Sequence, residues 1–361
     1  MILQQWRQLA LAAPRAAGAP LASGRLRAVP EDFVVEEDLG FAPDGDGSHL
    51  LLKVRKRNAN TGWVAQELAR GLGCAVRDIG FAGLKDRRAI AIQWFSAPVT
   101  PRALAAAAGF THPEFTVLEV HRHRRKLPRG ALAGNAFIIR IRDYTGSGEE
   151  LQRRCESIAR AGVPNYFGPQ RFGREAGNLA RLAATAGAET PPPQRHGRPD
   201  GFVLSAARSL IFNAVLGARV REGSWGTLAV GDVANLDGRG SVFAVDAMTP
   251  ELSAREAALD VHPTGPMWGA GELMSGGPAQ QLEQRIALEL PQACQFVVNA
   301  GLRQERRSLR VKVRDFGWAQ ESDGVVLRFW LRSGSFATAL LREILADGTT
   351  AGEAVVDADD N

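Results

Sequence analysis

Residues 51–57 (LLKVRKR) alternate apolar and polar side chains, the period-two signature of a half-buried strand. The next segment, 60–73 (NTGWVAQELARGLG), spaces its apolar positions three and four apart and predicts a short helix capped by Asn60 or Thr61. Strand patterning returns at 89–97 (AIAIQWFSA), 115–125 (FTVLEVHRHRR) and 134–143 (GNAFIIRIRD). The last of these puts apolar residues on one face and Arg140 and Arg142 on the other. A helical stretch at 147–162 closes the region, and GVPNYFGPQRFG (162–173), dense in Gly, Pro and aromatics, breaks the pattern. These elements predict an α+β unit that ends near residue 160.

Helical periodicity dominates from there to about residue 305, most clearly at 204–223 (LSAARSLIFNAVLGARVREG). A Pro-rich stretch, 191–201, reads as a tether, and 231–245 as a hairpin turning near Asp237 and Gly238. Residues 308–348 return to strand, strand, turn and helix, the texture of the first unit. The simplest organisation is a catalytic domain in two parts, 1–160 and 306–361, interrupted by a mostly helical insertion, 161–305. The acidic last residues (EAVVDADDN) are expected to be mobile.

Composition bounds the chemistry. A chain of 361 residues, 45% hydrophobic and 23% charged, is too long for one ordinary core and long enough for two. Cys74, Cys155 and Cys294 are far apart, which argues against a disulfide framework or a zinc site and fits a reducing, cytoplasmic compartment. The six histidines show no metal spacing and read as solvated or polyanion-facing, so they offer no metal site. The opening LALAA run is too short for a secretory leader, and no run of about 18 apolar residues predicts a membrane helix. A net charge of +5 favours a polyanionic partner. Basic residues bunch at 121–130, with Arg124, Arg125 and Lys126, and at 301–314 (GLRQERRSLRVKVR). Either run alone reads equally well as a solvated face; two of them with interleaved aromatics favour a phosphate-tracking surface.

Chemistry concentrates at 79–96 (IGFAGLKDRRAIAIQWFS), where Lys85 and Asp86 fall in a charged turn before a strand. A loop on a rigid strand presents a side chain without letting it drift. The flanking cations Lys85, Arg87 and Arg88 would stabilise the charge of a carboxylate there. By itself a K-D-R turn is more often only a solvated loop.

Several segments in order carry more weight. RAVPEDFVVEEDLGF, FAGLKDRRA, GNAFIIRIRD, GVPNYFGPQRFG, LSAARSLIFN and FWLRSGSFAT resemble, in this order and spacing, the signature segments of the TruD family of tRNA pseudouridine synthases, over residues 25–348. The resemblance implies a pseudouridine synthase catalytic domain with a mixed, mainly antiparallel sheet and a TRUD insertion domain. It implies action on the uridine at position 13 of certain tRNAs, without metal or cofactor, and a monomer is expected. Asp86 matches the family's catalytic aspartate. Phe33, Asn135 and Phe336 match substrate-contacting positions, and Phe137 sits where other pseudouridine synthase families carry tyrosine. Arg27 stands where the family often has Lys; either Arg27 or Lys85 is a candidate partner for Asp86 and a contributor to the substrate site.

The residue types suit an extruded base, which aromatic faces and edge hydrogen bonds hold. Each Phe taken singly reads as core packing, and Asn135 after Gly134 as a turn former. Arg171, in the junction loop, is a further RNA-backbone candidate, on even terms with a purely structural role. Asp86 either attacks the anomeric carbon or takes a proton from the neighbouring ribose carbon. Two rivals remain: an RNA-binding or RNA-folding protein without turnover, and a pseudouridine synthase with another RNA as target.

Overall fold

The computed structural model describes residues 2–186 and 200–346. Most of the Pro-rich stretch (191–199) and the whole acidic tail lie outside the described residues.

The alternating segments assemble into one mixed sheet. Its main strands are β1 (Phe33–Asp38), β2 (His49–Arg57), β3 (Ile90–Pro98), β4 (Phe115–His123) and β5 (Gly134–Arg142), joined by β6 (Arg314–Glu321) and β7 (Gly324–Arg332) from the end of the chain. The spatial order is β6-β7-β5-β1-β3-β2-β4. Every neighbouring pair on this path is antiparallel except β1 and β3, which run parallel with Val35 beside Ala91. The C-terminal strands are thus integral to the sheet, with Leu331 opposite Asn135 and Phe329 opposite Phe137.

One face of this sheet carries two apolar packs. Val35, Phe137, Ile139, Leu327 and Phe329 meet α3 (Gly148–Ala161) and α5 (Ala337–Ile344), an assembly that buries Leu151, Ile158, Leu340 and Ile344. Leu52, Val54 and Phe95 meet α2 (Thr61–Leu72) through Val64, Leu68 and Leu72. The register puts Glu37, Gln93 and Lys56 on the same face, in the seam between the packs.

The intervening segment builds a separate core around α4 (Gly201–Arg221), whose N-cap Asp200 accepts from the Phe202 N–H at 2.8 Å. This helix is long and apolar enough to cross a membrane by length and composition. It is apolar on every side because it is the hub of a bundle, 72% buried against Gly177–Ala186, Gly277–Glu289, Pro291–Asn299 and the strand Val261–Met267. That strand belongs to a four-stranded antiparallel sheet with Val233–Leu236, Val242–Ala244 and Glu305–Ser308. The first residues, for which the sequence pattern assigned no element, form α1 (Ile2–Leu11), and its Trp6 and Ala10 are buried in this second core. The start of the chain therefore packs on the inserted segment rather than on the large sheet.

Candidate active site

Asp86 stands in the loop that enters β3, at the mouth of the seam. Arg27 Nη2 donates to its Oδ2 at 2.7 Å, and the two side chains are 25% and 38% exposed, so the pair is screened by protein yet open to an incoming molecule. Arg27 adopts a left-handed backbone, φ 55°, directly after a two-residue pairing of Arg25 and Leu26 with β5. Such a conformation costs a non-glycine residue roughly 1–2 kcal/mol, and it brings the guanidinium back over the sheet. The guanidinium carbon lies 4.2 Å from the centroid of Phe33, and Phe33 meets Phe137 edge to face at 6.0 Å. Both rings are more than nine-tenths buried, so they brace Arg27 from within the core.

Lys85 does not pair with Asp86. Its Nζ lies 2.5 Å from Glu37 Oε1, with side chains 9% and 0% exposed. The Glu37 carboxylate also accepts from Gln93 Nε2 at 3.2 Å and from the Trp94 N–H at 2.8 Å. Burial nonetheless pushes Glu37 above the ordinary carboxylate range, against the opposing pull of Lys85. Gln93 Nε2 reaches the Gly83 carbonyl at 2.6 Å, and Thr61, rather than only opening α2, donates to Gln93 Oε1 and accepts from the Lys85 N–H. Lys56, fully buried, donates to the Ala59 carbonyl at 2.5 Å and to those of Asp86 and Lys85 at 3.3 and 3.5 Å. Burial draws its ammonium down to about 8. The Asp86 loop is thus tied to the sheet at Gly83, Lys85 and Asp86.

Asn135 lies on the same face two residues from Phe137, and its Oδ1 is buried without a hydrogen-bond partner. Phe336 belongs to a second aromatic group. It is the N-cap of α5, 6.1 Å from Phe167, with the Arg171 guanidinium 5.9 Å from its ring. Arg171 donates to Ser205 Oγ at 3.0 Å, and burial holds its guanidinium below the ordinary value. Arg124, Arg125 and Lys126 sit apart, exposed in the bend after β4; Arg124 faces Asp46 at 3.1 Å and Lys126 donates to the Arg77 carbonyl.

The family model described as tRNA pseudouridine synthase D (TruD) matches residues 14–183 and 200–344. The chain belongs to the TruD family. A tRNA pseudouridine synthase D from Xanthomonas euvesicatoria is 43% identical over 355 residues, covering 94% of this chain and 95% of that one. One from Pseudomonas putida is 42% identical over 348 residues, covering 96% and 97%. A crystal structure of a TruD protein from Methanosarcina mazei superposes with a TM-score of 0.72 at 23% identity, over 94% of this chain and 97% of that chain, and shares its fold.

Against the TruD pattern, the structure unites Arg27, Phe33, Phe137 and Asp86 in one contact chain and places Lys85 behind it, facing Glu37. Four residues of the seam escaped sequence reasoning: Glu37, Lys56, Thr61 and Gln93. The signal available for three of them was phase, since Glu37, Lys56 and Gln93 are polar residues on the apolar phase of their strands. The histidines are not uniformly solvated. His262 is 2% exposed, with Nε2 3.3 Å from Asp237 Oδ1 and Nδ1 accepting from Arg310 at 3.0 Å.

Proposed function

We propose that this chain isomerises a uridine of tRNA to pseudouridine, that the uridine is the one at position 13, and that Asp86 is the catalytic residue. The observation that carries the reading is the Arg27–Asp86 pair, a carboxylate fixed by a stacked guanidinium on a loop tied at three points, in a chain of the TruD family. Isomerisation breaks the bond between C1′ and N1 of uracil, turns the ring, and forms a bond between C1′ and C5. The C5 hydrogen leaves as a proton and N1 gains one, so no redox partner enters the balance. One carboxylate suffices, either adding to C1′ or removing a proton from C2′, because the base stays in the site throughout; a hydrolase ordinarily uses two. Asn135 Oδ1, a buried acceptor with nothing to accept, suits the N3–H of uracil, which is present in both substrate and product. Phe336 offers a face on which an extruded base stacks for roughly 1–3 kcal/mol.

The test is tritium release from tRNA transcripts labelled at C5 of uridine. Stoichiometric release of one tritium per tRNA supports the reading; stable binding with no release assigns the chain to RNA binding without turnover.

A further inference from the structure

The second basic run of the sequence, 301–314, lies only in part on an open face, with Gly301, Arg303 and Glu305 exposed and the cations from Arg306 onward turned to a recess. They line a cavity of about 210 Å³ at the corner where the end of β7 meets the four-stranded sheet of the insertion. That volume holds about seven waters, or a phosphate group with part of its hydration shell. Five of its cations, Arg239, Arg307, Arg310, Lys312 and Arg332, have no carboxylate partner among the described residues. Among the described residues the only carboxylate on the wall is Asp237, and it is taken: it faces Arg314 and His262, which outweigh burial and hold its carboxyl at about 2. Arg310 spends its donors on His262 and on the carbonyls of Gly226, Glu256 and Val261. Arg307 donates to Asn165 Oδ1 at 2.7 Å and to the Gly334 carbonyl at 3.0 Å, and its Nε has no partner. Burial draws both guanidiniums down to about 10, with Arg171 adding to the effect on Arg307. Arg239 and Arg332 make no side-chain hydrogen bond or ion pair within the described residues. Concentrated positive charge without counter-charge is costly in a partly desolvated recess, and an anion relieves that cost.

We propose that this cavity binds a backbone phosphate of the RNA substrate, with Arg239 and Arg332 as its mobile contacts and Arg307 and Arg310 as its fixed floor. The occupant is polymeric because Arg307 serves two places at once. Its guanidinium walls the cavity and also lies 4.2 Å from the centroid of Phe167, the ring beside Phe336. A strand stacking one base at Phe336 therefore has a neighbouring phosphate within reach of the cavity. Arg332 and the tip of the insertion hairpin approach it from different parts of the fold, so the site forms only where the insertion meets the sheet. This inference rests on the proposal that the chain acts on tRNA.

The test is fluorescence anisotropy of an unmodified, labelled tRNA transcript between about 50 and 200 mM salt, for the full chain and for Arg239→Gln, Arg332→Gln and the double variant. Neither side chain holds the fold, so all three should melt as wild type does. Arg153→Gln, an exposed residue of α3, controls for net charge. The expected result is a salt slope of log K smaller by about 0.7–0.9 in the double variant, the loss of one phosphate contact, with part of that change in each single variant and little change for Arg153→Gln. Unchanged slopes in the cavity variants, in a protein that still releases tritium from tRNA, would overturn the cavity and leave the function standing. A slope change of equal size in Arg153→Gln would also overturn it. Inorganic phosphate binding lost in the double variant, with the tRNA slope intact, would assign the cavity to a free anion and contradict the proposal. Failure of the wild-type chain to bind tRNA removes both readings together.

Discussion

Arg27 reaches Asp86 across 59 positions of sequence, its Nη2 2.7 Å from Oδ2, while the same guanidinium lies 4.2 Å from the centroid of Phe33. The planar cation does two things that a point charge does not combine: it stacks and it directs a hydrogen bond. Arg27→Lys should keep the charge and lose the brace, lowering kcat by roughly tenfold, and Arg27→Ala should lower it about 100-fold, or about 2.7 kcal/mol of barrier. Tritium release under saturating tRNA measures both. Equal activity of the Lys variant and wild type would show that the stacking on Phe33 is incidental.

Lys56 donates to two carbonyls of the Asp86 loop and to that of Ala59, and it feels the ionisable side chains of Asp86, Lys85 and Glu37. With an ammonium that loses its proton near pH 8, one of three donors and the charge disappear above that pH. The expected profile of kcat falls through an apparent value near 8, and Lys56→Met should be slower throughout and lack that limb. Stability runs the other way. The folded value lies below the ordinary lysine value of 10.5, so between about 8 and 10.5 the unfolded chain binds more protons, and the Lys56 contribution to stability rises with pH. A limb near pH 8 that persists in Lys56→Met would assign the titration to another group.

Glu37 and Lys85 form an ion pair with side chains 0% and 9% exposed. Glu37→Gln leaves the Lys85 ammonium buried without its counter-charge and should cost about 3–5 kcal/mol in urea unfolding. Glu37→Gln with Lys85→Met should recover much of that loss, because the stranded charge goes too. Additive losses in the double variant would show that the two residues act separately.

Asn135 carries an unsatisfied buried oxygen. Asn135→Leu removes it and should raise stability by up to about 1 kcal/mol while cutting kcat/KM at least tenfold, the opposite signs expected where a polar group serves the substrate rather than the fold. A variant that loses both stability and activity would make Asn135 a structural residue.

Most of the large sheet was legible because strands such as 51–57 and 134–143 alternate cleanly, and the C-terminal return to strand texture pointed to shared membership in it; the central strand β1 was not among the elements the pattern predicted. The strings around Asp86 singled it out as the candidate, but the choice of its partner between Arg27 and Lys85 was not legible. That choice depends on the φ of 55° at Arg27 and on a carboxylate, Glu37, 48 positions from Lys85. Lys56 and Gln93 look like polar breaks in apolar strands until β1, β2 and β3 stand side by side. Trp6 and the first helix escaped notice because Ala-rich, Arg-rich wording runs through the whole chain, and that apolar stripe gains its partners only when α4 and Gly177–Ala186 fold against it. The basic run at 301–314 read as a surface; the curl of Glu305–Ser308 into the second sheet makes it a cavity wall.

The most direct measurement maps pseudouridine by carbodiimide treatment and primer extension on unmodified tRNA transcripts incubated with the purified chain or with its Asp86→Asn variant. The expected result is a single stop reporting position 13 with the wild-type chain and none with Asp86→Asn, which still binds the tRNA. A stop of equal strength with both proteins would contradict the assignment of Asp86, and binding without a stop by either would contradict the proposed isomerisation.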